Sequence, residues 1–219
     1  MTQGELRKAL QVYFIMGSPN TEQPALQVLE EAIAGGITIF QFREKGRHAL
    51  KGEAKRALAR GLQQLCRAHG IPFIVNDDID LAVALDADGV HIGQEDEPVD
   101  QVRARIGNKL LGVSVHTVEE AKLAVAQGAD YLGLGPVFPT GTKEDAKEVQ
   151  GVSLIQKLRE LGMDIPIVGI GGIHAGNAGE VVAAGADGVS VITAISQAGS
   201  PLKAAQDLLE AVNSQVRKG

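Results

Sequence analysis

About eight short apolar runs punctuate the chain, and several break off abruptly into polar and charged residues at their C-terminal ends. Ile37–Phe40 runs into Gln41-Phe42-Arg43-Glu44-Lys45, Phe73-Ile74-Val75 into Asn76-Asp77-Asp78, and Val90-His91-Ile92-Gly93 into Gln94-Glu95-Asp96. A buried strand that turns polar only where it ends is expected in a parallel sheet whose functional groups gather on one face. The runs give candidate strands at Val12–Met16, Ile37–Phe42, Pro72–Val75, Gly89–Ile92, Leu110–Val113, Tyr131–Leu134, Ile167–Ile170 and Gly188–Ile192. Helical patterns lie between them, among them Gly52–Arg67, Val118–Ala126, Val152–Leu161, Ala175–Ala184 and Leu202–Val216. Asp86-Ala87-Asp88-Gly89, Gly128-Ala129-Asp130 and Gly185-Ala186-Asp187 precede strands and read as left-handed helix caps opening short loops. Eight such βα units in this length close most naturally as a single (β/α)8 TIM barrel spanning residues 1–219, with an N-terminal helical extension. A doubly wound open sheet is the alternative.

Composition narrows the function classes. A net charge of −6 argues against a general nucleic-acid or membrane-surface binder, although a few well-placed cations can still attract a phosphorylated substrate. Cys66 is the only cysteine, so there is no disulfide framework and no cysteine metal site, and a reducing compartment is expected. No apolar stretch is long enough to span a bilayer, and Met1–Gln11 is charged and amphipathic with no signal core. The expected location is the cytoplasm. The helical outer faces show no decisive apolar patch, which leaves a homo-oligomer open.

If the barrel is correct, the C-terminal strand ends supply the functional residues. Strand two offers Gln41, Arg43 and Lys45, which alternate and point to one side; two cations so close together need anions, either a ligand or Glu44 and a neighbour. On strand three, Asp78 is placed to cap the helix near Ile79, which leaves Asn76 and Asp77 for another task. Asp77 and Asp96 end adjacent strands. Together they suit a hard cation that keeps waters and shares ligands with a phosphorylated substrate, and Mg²⁺ is the usual such ion. Ser114 ends strand five, Thr117 reads as an N-cap, and His91 as a satisfied core group. The loop from Pro136 to Gln150 carries Thr140, Thr142 and Lys143, which could close over phosphate. Gly171-Gly172 after strand seven and Val191-Ile192-Thr193 after strand eight, with a short helix over Thr193–Gln197, suit a backbone phosphate site. Two anion sites in one barrel imply transfer between two phosphorylated substrates.

The pieces Gln41-Phe42-Arg43-Glu44-Lys45, Val75-Asn76-Asp77-Asp78, His91-Ile92-Gly93-Gln94-Glu95-Asp96, Gly112-Val113-Ser114 and Gly133-Leu134-Gly135-Pro136 stand in order with Pro139-Thr140-Gly141-Thr142-Lys143 and Gly169-Ile170-Gly171-Gly172-Ile173. In that order and spacing they resemble the thiamine-phosphate synthase (thiamine phosphate pyrophosphorylase) family, from Tyr13-Phe14-Ile15-Met16 to Ala194-Ile195-Ser196. The resemblance implies a Mg²⁺-dependent transferase that joins a hydroxymethylpyrimidine diphosphate to a thiazole ethyl phosphate or its ring-carboxylated form. Carried over by motif, Gln41, Arg43, Lys45, Asn76, Ser114 and Lys143 would hold the pyrimidine diphosphate, with Arg43, Lys45, Ser114 and Lys143 catalytic. Asp77 and Asp96 would ligate the metal, while Thr140, Thr142, Gly172, Ile192 and Thr193 would hold the thiazole phosphate. Thr193 stands where serine is expected and keeps the hydroxyl; Val115 replaces a smaller residue with no evident consequence. A thiazole-phosphate tautomerase or a non-catalytic phosphate-binding barrel are the rival readings. Neither accounts for Arg43, Lys45, Asp77 and Asp96 together.

Overall fold

A computed structural model describes residues 1–140 and 149–216. Eight parallel strands close in sequence order: β1 Val12–Met16, β2 Ile39–Phe42, β3 Phe73–Asn76, β4 Gly89–Ile92, β5 Leu110–Val115, β6 Tyr131–Leu134, β7 Ile167–Ile170 and β8 Gly188–Val191. The barrel shuts where Val12, Tyr13 and Phe14 pair with Val189, Ser190 and Val191. The helices among the described residues are α1 Gln3–Ala9, α2 Ala25–Gly35, α3 Gly52–Ala68, α4 Ile79–Ala84, α5 Val99–Ile106, α6 Val118–Ala126, α7 Ser153–Glu160, α8 Ala178–Ala183, α9 Thr193–Ser196 and α10 Pro201–Val216. None is long and apolar enough to cross a membrane.

Strand alternation divides the core in two. Phe14, Phe40, Val75, Val113, Leu132 and Val189 face outward and pack against the helices. Tyr13, Ile15, Ile39, Ile74, Tyr131, Val168 and Ile192 face inward, and Leu6 of α1 and Leu10 at its C-cap join them, so the N-terminal helix seals the floor of the barrel. A capping box between Thr2 and Glu5 starts that helix, and Arg7 pairs with Asp187 from below. Burial on both faces is why the strand runs read as continuous apolar sequence.

The Gly-Ala-Asp punctuation does more than cap helices. At or next to the first residue of each odd strand, a backbone N–H is donated to the side chain just before the next strand. Val12 donates to Thr38 Oγ1, Phe73 to Asp88 Oδ2, Leu111 to Asp130 Oδ2 and Ile167 to Asp187 Oδ2, each at 2.8 Å. The N–H of each acceptor residue returns to the same partner's carbonyl at 2.7–3.0 Å. Two residues earlier, a left-handed residue turns the chain: Gly36, Gly128 and Gly185 in three cases and Asp86, with φ of 50°, in the fourth. Arg103 braces Asp130 at 2.6 Å and Arg159 braces Asp187 at 2.9 Å, and each guanidinium also collects three neighbouring carbonyls. Four repeats of one clamp thus set the strand starts that aim the opposite ends. Asp130→Ala leaves the Leu111 N–H without its acceptor and should cost about 2 kcal/mol, lowering the thermal midpoint by roughly 5 °C. An unchanged midpoint in calorimetry would contradict the clamp.

Candidate functional site

The C-terminal strand ends and the loops beyond them enclose a cavity of about 230 Å³. Gln41, Arg43, Lys45, Asn76, Asp77, Asp96, Ser114, Thr140, Gly172, Ile192 and Thr193 all line it, so eleven positions singled out in the sequence meet in one place. Thr142 and Lys143 lie outside the described residues.

The charged side chains sort themselves by local bonding. Glu44 turns away from its two cationic neighbours and accepts from the Ser18 N–H at 2.8 Å and the Leu50 N–H at 2.7 Å, which tie the loops after β1 and β2 together. Lys45 Nζ instead reaches Asp77 Oδ2 at 2.9 Å, and that contact raises the ammonium pKa above its ordinary value. Arg43 is only 9 % exposed, and among the described residues no anion pairs with its guanidinium. A buried guanidinium with nothing anionic against it is suited to receive a ligand's negative charge. Of the anions expected beside the two cations, Glu44 and a neighbour, the neighbour Asp77 pairs with Lys45, whereas Glu44 is engaged by backbone N–H groups.

Asp78 does what its position suggests: it caps α4 by accepting from Leu81 N at 3.0 Å and meets Lys55 at 2.7 Å. Asp77 is thereby released, and its backbone holds a left-handed φ of 60°, uncommon outside glycine. A hydrogen bond from its N–H to the His91 carbonyl at 2.9 Å fixes that conformation. Asp96 closes its own loop by accepting from Gly93 N at 2.7 Å. Burial and side-chain contact with Asp77 push the Asp96 carboxyl above its ordinary range, although the Gly93 N–H opposes the rise. Two carboxylates in contact at a half-buried mouth ask for a cation between them, and hard oxygen donors suit a hard ion. Among the described residues no group of three or more His, Cys, Asp or Glu side chains is placed to hold a metal. The pair fits an ion that takes its remaining ligands from water and substrate.

Opposite this charged wall, the chain leaving β6 runs beside the chain leaving β7. Val137 N donates to Ile170 O at 2.8 Å and Phe138 N to Gly171 O at 3.0 Å, which brings Phe138 and Pro139 against Gly172, with Thr140 following on the same cavity wall. Gly172 has φ of 63°, and a Cβ there would come within 2.5 Å of the Pro139 carbonyl oxygen. The short helix α9 opens at Thr193, one residue shorter than the pattern suggests. This side offers backbone groups and hydroxyls, suited to a phosphate held without strong charge.

Sequence reading passed over the inner floor. Tyr13 and Tyr131, the chain's two tyrosines, are fully buried inside the barrel with His91 beside them. The available signal was a tyrosine inside an apolar strand run, since a buried hydroxyl needs a partner. Space for these rings comes from Gly112, where a Cβ would lie 2.1 Å from Tyr131 Cζ and 2.4 Å from His91 Nδ1. Gly112→Ala should therefore cost about 1–3 kcal/mol through overpacking. A denaturant midpoint equal to the parent's would show that the rings do not sit there.

A family model described as thiamine monophosphate synthase matches residues 12–195. The thiamine-phosphate synthase of Geobacillus kaustophilus is 64% identical over 211 residues, covering 96% of each chain. That of a Bacillus cereus strain is 55% identical over 216 residues and covers 99% of each. A solved structure, the thiamine phosphate pyrophosphorylase from Pyrococcus furiosus, superposes with a TM-score of 0.86 at 37% identity, covering 96% of this chain and 99% of that one.

Proposed function

The chain belongs to the thiamine monophosphate synthase family, and from that premise we propose how its cavity performs the work of a thiamine-phosphate synthase. The transferase joins a hydroxymethylpyrimidine diphosphate to a thiazole ethyl phosphate and releases pyrophosphate. The observation that carries the assignment of roles is the Arg43 guanidinium, buried and without an anion among the described residues, facing the same mouth as Lys45 and the Asp77–Asp96 pair.

Asp77 and Asp96 would hold a Mg²⁺ ion, which when bound neutralises charge on the diphosphate oxygens. Arg43 and Lys45 would bind those oxygens, with Lys143 contributing from the loop. Gln41, Asn76 and Ser114 would seat the pyrimidine ring. Thr140, Thr142, Gly172, Ile192 and Thr193 would hold the thiazole phosphate and so aim the ring nitrogen at the reacting carbon. The carbon–oxygen bond breaks first, and its electron pair leaves with pyrophosphate. The pyrimidine's own amino group delocalises the positive charge left behind. The lone pair of the thiazole nitrogen then forms the new carbon–nitrogen bond. That nitrogen carries no proton to remove, so the site needs no general base, and no serine–histidine–acid set is required of it. Catalysis is then positioning together with fixed positive charge around a leaving group.

Incubation with both phosphorylated heterocycles should yield thiamine phosphate by mass spectrometry with Mg²⁺ and essentially none in chelator. Asp77→Ala and Lys143→Ala should each lower turnover ~100-fold or more at saturating substrate, the scale of one lost preorganised charge contact. Near-parental rates for both variants would sink the role assignment. Tautomerised thiazole phosphate without coupling would favour the isomerase reading.

A further inference from the structure

At the cavity floor, three side chains without a role in the reaction above join two that have one. Gln41 Nε2 donates to the Tyr13 hydroxyl at 2.8 Å, and the Tyr13 and Tyr131 hydroxyls lie 2.7 Å apart. The Tyr131 oxygen is 3.2 Å from His91 Nδ1, and His91 Nε2 is 2.9 Å from Ser114 Oγ. The row crosses the barrel interior from β2 through β1, β6 and β4 to β5. Only its two ends, Gln41 and Ser114, carry the polar atoms assigned to substrate.

Each phenol has one proton to give. Burial pushes the ionisation of both tyrosines up, so both keep that proton at ordinary pH. Because Gln41 already donates to Tyr13, the Tyr13 proton must go to Tyr131, or it would be buried with no acceptor. Tyr131 must then donate to His91 Nδ1. The imidazole proton therefore sits on Nε2 and is donated to Ser114 Oγ, and the serine's own proton is left for the cavity. Among the bonds of the described residues, the only other fully satisfied arrangement turns the Gln41 amide over and reverses every donor, which puts the imidazole proton on Nδ1 and spends the Ser114 proton on His91.

We infer that the row is a proton-ordering device: Tyr13, Tyr131 and His91 are positioning residues that hold the Gln41 carbonyl oxygen and the Ser114 hydroxyl proton toward the substrate. The inference rests on the reading of function above and deepens it. With its nitrogen committed to Tyr13, Gln41 can offer an aminopyrimidine only an acceptor. As the carbon–oxygen bond breaks and positive charge spreads onto the amino group, its N–H becomes a stronger donor, and the contact with Gln41 Oε1 tightens in the transition state more than in the ground state. A reversed row would meet the same amino group with N–H donors and repel the developing charge.

The test is ring-¹⁵N NMR of the free enzyme, with His91 distinguished from the other histidines by loss of its signals in His91→Gln. Protonated Nε2 beside unprotonated Nδ1 is expected; an Nδ1–H tautomer or an imidazolium would overturn the inference. Tyr13→Phe and Tyr131→Phe should lower kcat by roughly 10-fold while leaving KM for the thiazole phosphate within about 2-fold. Parental kcat in both variants would equally overturn it. The tautomer is read without substrate, so its failure is distinguishable from absence of thiamine phosphate, which would sink the underlying reading and this inference with it.

Discussion

With β1 hydrogen-bonded to β2 on one side and β8 on the other, no strand of this sheet keeps a free edge, and alternate side chains of all eight are forced into one enclosed space. The lower part of that space is filled by α1 and the inward apolar residues, so only the C-terminal end stays open. Every strand therefore delivers its last inward side chain to the same mouth. Residues separated by dozens of positions become neighbours because closure gives them nowhere else to go.

The mouth is chemically divided. β2, β3 and β4 bring charge: a buried guanidinium, an ammonium and two carboxylates, of which Lys45 and Asp77 are in contact. β6, β7 and β8 bring glycines, hydroxyls and backbone N–H groups. A charged wall can take up negative charge that grows during a reaction, whereas a neutral cradle holds a phosphate whose charge does not change. The division matches a transfer in which one phosphorylated partner ionises and the other only needs to be held.

Much of this was legible in the chain. Apolar runs ending in polar bursts gave the eight strands within a residue or two, because two-sided burial leaves little latitude in composition; β5 runs two residues further than its apolar core, to Val115. Asp78 and Thr117 were readable as caps from their place before a helix. The Gly-Ala-Asp triplets were read as caps alone, because a carboxylate that clamps a neighbouring strand leaves no local periodicity. Nothing in the sequence chose between Glu44 and Asp77 as the partner of Lys45, since that choice depends on how the loops after β1 and β2 meet. His91 was correctly taken as a satisfied buried group, yet its partners Tyr131 and Ser114 lie on strands 40 and 23 residues away. A network of this kind becomes visible only once the barrel closes.

The central claim is that acidic and basic side chains from separate strands converge on one metal-bound diphosphate. Calorimetric titration with inorganic pyrophosphate, in the presence and absence of Mg²⁺, addresses it without relying on turnover. The account predicts saturable binding that Mg²⁺ tightens by at least about 10-fold, the effect of a cation shared between Asp77, Asp96 and the ligand's oxygens. Affinity indifferent to Mg²⁺, or no binding under either condition, would contradict it.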